Sequence, residues 1–128
     1  MKARKIWGNL GVEDLVRTTR FYSALGFRSN GTSEELTSFF FGDDNFVLHF
    51  FLKEPLRAGM KGELANLQNG SEIIFTLSAE SKEEVDLWEN AVSKAGGTLV
   101  STAEEFGKGY YGFVFTDPDG HRFNVFYM

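Results

Sequence analysis

The stretch 112-GFVFTDPDGHRFNVFYM-128 reads as two apolar strands joined by a tight turn, and the rest of the chain can be read outward from it. Pro118 presets the backbone of the turn, Gly120 supplies its freedom, and Asp117 and Asp119 are placed to accept backbone hydrogen bonds. His121, directly after the turn, has a turn-stabilising or surface role in that setting. Side chains alternate along a strand, so Phe123, Val125 and Tyr127 share one face while Arg122, Asn124 and Phe126 share the other. Asn124 is the anomaly, an amide in a strand otherwise made for a core.

A hairpin of the same design occurs earlier, 37-TSFFFGDDNFVLHFF-51, with Asp43, Asp44 and Asn45 at its turn. A helix precedes each hairpin. In 12-VEDLVRTTRFYSALGF-27, Asp14 caps the start, Leu15, Thr18, Tyr22 and Leu25 share a face, and Gly26 stops the helix. In 80-ESKEEVDLWENAVSKAGG-97, Ser81 and Glu84 have capping-box spacing, Val85, Trp88, Val92 and Ala95 form the apolar stripe, and Gly96 and Gly97 end it. Its acidic run, Glu83, Glu84, Asp86 and Glu89, reads as a solvated face. Runs rich in Phe, Val, Ile and Thr predict strands over 5–11, 37–42, 46–51, 72–78, 98–101, 111–116 and 122–127, with a further one near 27–30.

These elements form a repeat. Two copies of β-α-β-β-β fill the chain, aligned with Val12 on Leu77, Phe41 on Phe115, and one hairpin turn on the other. The fold class is α+β, with modules of about 1–52 and 71–128. The intervening 53-KEPLRAGMKGELANLQNG-70 lacks periodicity and reads as a linker. The Gly-rich segment 106-FGKGYYG-112 reads as a loop that could carry Phe106, Tyr110 and Tyr111 as an aromatic rim.

Composition narrows the function. With 128 residues, 42% hydrophobic and 16% aromatic, the chain can bury about two-thirds of its unfolded surface in one domain. A net charge of −5 argues against nucleic acid, which needs a clustered basic surface. No cysteine is present, which removes disulfides, thiolate metal sites and cysteine nucleophiles and suits a reducing cytoplasm. The start, MKARKIWGNLGVED, is broken by Gly8, Asn9 and Gly11 too early for a signal peptide. The expectation is a cytoplasmic protein with no membrane partner.

The paired β-α-β-β-β pattern, the segment 12-VEDLVRTTRFYSALGF-27 and the closing DPDGHRFNVF resemble the vicinal oxygen chelate superfamily, which includes glyoxalases, bleomycin-resistance proteins and extradiol dioxygenases. The resemblance covers essentially the whole chain as a single domain, 1–128. It is nearest to small bacterial glyoxalase-like proteins with a KIxxNLxVxDL start and a DPDGHxxxxxxM end. It implies two modules forming a curved mixed sheet around a cleft, in a homodimer.

In metal-using members, ligands come from the opening and last strands of each module. Those positions here hold Trp7, His49, Glu72 and Asn124. Only His49 and Glu72 are competent ligands, and a catalytic metal wants at least three. The pair is open to three readings: a buried hydrogen-bonded ion pair across the sheet, ligands of a divalent metal, or catalytic residues that transfer protons. Asn124 is open to two as well, a cross-strand hydrogen bond or ligand contact. Alternation puts Trp7, Asn9, Val47, His49, Phe51, Glu72, Ile74, Thr76, Asn124 and Phe126 on the cleft side. The function expected is binding of a small amphipathic or cationic organic molecule through Trp7, Asn9, His49, Phe51, Glu72, Asn124 and Phe126, with no cofactor. The alternative is a divalent-metal lyase, isomerase or dioxygenase acting on vicinal oxygens.

Overall fold

The computed structural model describes residues 1–128 and divides into two compact units, Met1–Ala65 and Asn66–Met128. The first unit runs β1 (Trp7–Val12), α1 (Leu15–Ala24), β2 (Arg28–Thr32), β3 (Leu36–Phe41), β4 (Phe46–Leu52) and α2 (Lys53–Met60). The second runs β5 (Ile74–Ser78), α3 (Lys82–Ala95), β6 (Thr98–Leu99), β7 (Glu104–Phe106), β8 (Tyr110–Thr116) and β9 (Arg122–Tyr127). Each unit holds one mixed sheet, ordered β1-β4-β3-β2 in the first and β5-β9-β8-β6 in the second, where β7 also pairs with β8. The opening strand of each unit lies parallel to its last strand, and the hairpins are antiparallel. The α+β class and the doubled β-α-β-β-β order are as the sequence implies.

The helices form where their ends were legible. The Asp14 carboxylate accepts the Arg17 amide at 3.0 Å, and the Ser81 hydroxyl accepts that of Glu84 at 3.0 Å. Gly96 closes α3 at φ 100°, a backbone region that costs glycine nothing. Each sheet packs one face on its helix. In the first unit Phe21, Tyr22, Phe39, Leu48 and Phe50 are buried, with Tyr22 stacked on Phe50 at 4.5 Å between ring centroids. In the second, Val85, Val92, Phe113, Phe115, Phe123 and Val125 are buried, and Phe115 lies nearly parallel to Phe123 at 5.3 Å. Burying one such aromatic side chain contributes about 2–3 kcal/mol, so these faces set the strand register.

Four expectations are corrected. Residues 53–60 are helical rather than aperiodic: α2 has Pro55 in its first turn, where a missing amide hydrogen does no harm, and it ends at Lys61 in a left-handed conformation. Leu56 and Leu64 lie over Gly11, where a β-carbon would stand 3.4 and 3.0 Å from their methyls. The segment around Phe106 is not a loop but half of the β7–β8 hairpin, with Glu105 paired to Tyr111. The acidic face of α3 is not wholly solvated, because Asp86 accepts the Tyr111 hydroxyl at 2.7 Å and Glu89 accepts the Ala103 amide. That first bond holds the Tyr111 proton in place and pushes its pKa up to about 12. Finally, β5 starts at Ile74, so Glu72 falls at a bend outside the strand and not within a strand 72–78.

His121 is buried, its Nδ1 lying 2.8 Å from Asp117. The other Asp117 oxygen accepts the amides of Asp119 and His121 at 3.0 and 2.9 Å, so the turn is held by a buried carboxylate. Of the two roles open to His121, the turn-stabilising one is realised. No helix is long and apolar enough to cross a membrane.

Candidate functional site

In the first unit, the sheet face away from α1 carries a polar row that crosses all four strands. Asn9 on β1 pairs with His49 on β4, which pairs with Ser38 on β3. On β2 the register shifts between Ser29 and Gly31, leaving Asn30 as the extra residue of a β-bulge. Gly31 permits the bulge at φ 108°, and the bulge re-aims the Asn30 side chain. Its Nδ2 donates to the Ser38 hydroxyl at 3.1 Å, and Ser38 Oγ lies 2.7 Å from His49 Nδ1. Ser38 is 1% exposed, so this hydroxyl meets its hydrogen-bonding needs inside the protein. His49 is half-buried, and burial pushes its pKa below the ordinary imidazole value.

Aromatic rings flank the row. Trp7 meets the His49 ring edge-on at 6.1 Å and Phe51 meets it from the other side at 6.0 Å. Trp7 is 51% exposed, which leaves indole surface free. Sequence reasoning placed Trp7, Asn9, His49 and Phe51 on this face but missed Ser38 and Asn30. The available signal was alternation along β3, which sets Ser38 across from His49; a bulge at Asn30 has no such signature.

The second unit repeats the layout with different chemistry. Asn124 occupies the rung of His49, paired with Thr76 on β5 and with Val114 on β8. Where His49 finds Ser38, Asn124 finds a valine, and its Oδ1 is buried with no hydrogen-bond partner. The cross-strand bond that was one of its two readings is not made by that oxygen. Phe126 sits further along the same face, packed edge-on against Phe106 at 5.0 Å and Tyr110 at 5.3 Å. By the ladder, Ile74 opposite Arg122 matches Trp7 opposite Val47, so the repeat aligns two residues away from the Val12 to Leu77 match. Glu72 is exposed, and the expectation that it is buried is corrected.

Comparison with known proteins fits this architecture. A family model described as the Glyoxalase/Bleomycin resistance protein/Dioxygenase superfamily matches residues 7–125. The chain belongs to that superfamily. Among solved structures, a hypothetical protein from S. aureus is 29% identical, with a TM-score of 0.88 over 100% of this chain and 96% of that one. A glyoxalase-related enzyme from Fulvimarina pelagi is 21% identical, with a TM-score of 0.86 over 98% and 89%. A lactoylglutathione lyase from Agrobacterium tumefaciens is 20% identical, with a TM-score of 0.68 over 99% and 96%. The last two show the fold alone. No relative is found among curated proteins.

As a superfamily member the chain can be tested for a metal centre by its donor set. No three His, Asp or Glu side chains converge anywhere in the structure. Trp7 offers no lone pair, Asn124 a neutral amide, and Glu72 stands outside its strand. His49 Nδ1 is already engaged by Ser38. These residues do not fit a catalytic divalent ion, which requires at least three preorganised ligands.

Proposed function

We propose that this protein binds a small amphipathic or cationic organic molecule on the aromatic faces of its sheets, without a tightly held metal ion. The observation that carries the reading is Trp7, half exposed and 6.1 Å from the His49 ring, which in turn lies 6.0 Å from Phe51. An indole held at one edge with its surface free is a stacking platform for a planar ligand. On the first unit Asn9 adds an amide to this surface; the corresponding face of the second unit carries Asn124 and Phe126, with the exposed Glu72 carboxylate just before β5 as the charge that a cationic ligand would meet there. The chain acts as a homodimer in a reducing cytoplasm, a reading supported by exposed Ile6, Ile73 and Ile74 and by the absence of cysteine.

Tryptophan fluorescence tests the binding surface, since Trp88 is half-buried on α3 and Trp7 is the more exposed of the two tryptophans. A ligand found by screening should quench the parent protein and leave Trp7→Phe nearly unchanged; equal quenching of both would place the site elsewhere. Elemental analysis tests the metal. Stoichiometric zinc, nickel, iron or manganese that disappears in His49→Ala would replace this proposal with a metal-dependent lyase, isomerase or dioxygenase. Light scattering at micromolar concentration tests the dimer, which a purely monomeric mass would remove.

A further inference from the structure

We infer that the Asn30–Ser38 pair fixes the ring proton of His49 on Nε2, making His49 a hydrogen-bond donor that selects ligands carrying a neutral carbonyl oxygen beside an aromatic ring. The inference rests on the binding reading above and narrows it to a chemical class.

The chain of donors runs in one direction. Asn30 Nδ2 has only hydrogens to offer, so at 3.1 Å it uses a lone pair of Ser38 Oγ. Ser38 Oγ keeps a second lone pair, but the residue is 1% exposed and its only other partner is His49 Nδ1, 2.7 Å away, so the buried hydroxyl hydrogen is satisfied only by pointing there, at a lone pair on Nδ1. A neutral imidazole carries one ring proton, and with Nδ1 accepting, that proton sits on Nε2. Burial disfavours the imidazolium and keeps the ring neutral near pH 7. Nε2 has no partner within the chain. It is therefore a committed donor set between Trp7 and Phe51, whose rings favour a planar apolar neighbour. A donor there prefers an oxygen acceptor, and the net charge of −5 favours a neutral carbonyl over a carboxylate. Ser38 and Asn30 are positioning residues; His49 is the group that touches the ligand. Asn30 is the bulge residue of β2, so the irregularity in that strand sets the tautomer of a side chain two strands away.

Nitrogen-15 spectra of the imidazoles give the first test. The two histidines are separated by assigning His49 through its loss in His49→Gln. The parent should show His49 in the Nε2–H form. Asn30→Asp replaces the donor with a carboxylate that can only accept, so Ser38 should turn its hydroxyl toward residue 30 and His49 should move its proton to Nδ1. Asn30 is exposed, so this variant should fold even if Ser38→Ala does not. An Nδ1–H form in the parent, or no change of form in Asn30→Asp, overturns the inference.

The second test uses acetophenone and its hydrocarbon analogue ethylbenzene, read by shifts of the Trp7 indole signal. Acetophenone should bind about fivefold more tightly, the worth of one ordinary hydrogen bond. The preference should vanish in His49→Phe and in Asn30→Asp. Equal affinities in the parent overturn the acceptor selection while leaving the aromatic surface standing. If neither compound shifts the Trp7 signal, the binding surface itself is overturned, and the ligand class with it.

Discussion

Asn124→Leu should make the protein more stable, although it removes a polar side chain from the middle of a strand. The Asn124 Oδ1 atom is buried without a partner, between Thr76 on one neighbouring strand and Val114 on the other. An unmet buried acceptor costs about 1–3 kcal/mol relative to its hydrated state. Leucine has nearly the same branched shape and offers only apolar surface to Val114. Taking the lower part of that range, because the rest of the side chain is only half-buried, the net gain is about 1 kcal/mol. For a chain of 128 residues this corresponds to a rise in Tm of about 3–5 °C. Calorimetry and urea unfolding should agree on the gain, with an unchanged m-value. The same variant should bind its ligand less well, since a polar atom kept at a cost in stability is a mark of function. A loss of 1 kcal/mol or more would show that the amide is a structural hydrogen-bonding group and would refute the reasoning. The matching rung of the first unit supplies the control: Ser38→Ala should lower stability by about 1 kcal/mol, because there the polar pair is complete.

Gly112→Ala should cost about 3 kcal/mol in urea unfolding, since its β-carbon would stand 2.2 Å from the Val125 carbonyl oxygen and force β9 away from β8; an unchanged midpoint would contradict that packing. Asp117→Ala should also cost about 3 kcal/mol, because it strands the amides of Asp119 and His121 and the His121 ring, and Asp117→Asn should recover part of the loss. His49 has a folded pKa below its unfolded one, so the unfolded chain binds the extra proton first and stability should fall as pH drops below about 6.5; this contribution should be absent in His49→Gln, and an identical pH profile in the variant would exclude His49 as its source.

Much of the fold was legible because each sheet has one helix-covered face, which prints a period of two on the sequence. Phe39, Phe41, Leu48 and Phe50, then Phe113, Phe115, Phe123 and Val125, are buried at every second position on the helix-covered faces. The caps of α1 and α3 were legible because side-chain oxygens at fixed spacing satisfy named amides. What escaped was structure with no such imprint. The helix α2 is short, contains Pro55 and Gly59, and has no fully buried residue to reveal a stripe. The limits of β5 were hidden because Ile73 and Ile74 are apolar yet exposed, so hydrophobicity extended the strand past its first paired residue. At the candidate site, His49 and Asn124 were visible as polar interruptions of apolar strands. Ser38 was not, since a serine in a strand is unremarkable until its cross-strand partner is known. Asn30 depended on a register shift, which is a property of two strands together.

In both sheets the strand made last in its unit, β4 or β9, takes an inner place between the opening strand and the hairpin partner. While the chain is being synthesised, β1 and β5 therefore wait unpaired until some forty or more residues have followed them, and neither sheet can grow from its start by adding neighbours. Each unit should close in one cooperative event, limited by the search for that parallel contact. The first unit can do so once Leu52 has emerged from the ribosome, before any of the second has emerged. Until β9 arrives, β5, which carries Ile74, Phe75 and Leu77 among its five residues, has neither edge paired, and this is where a nascent chain of this protein should most need a chaperone.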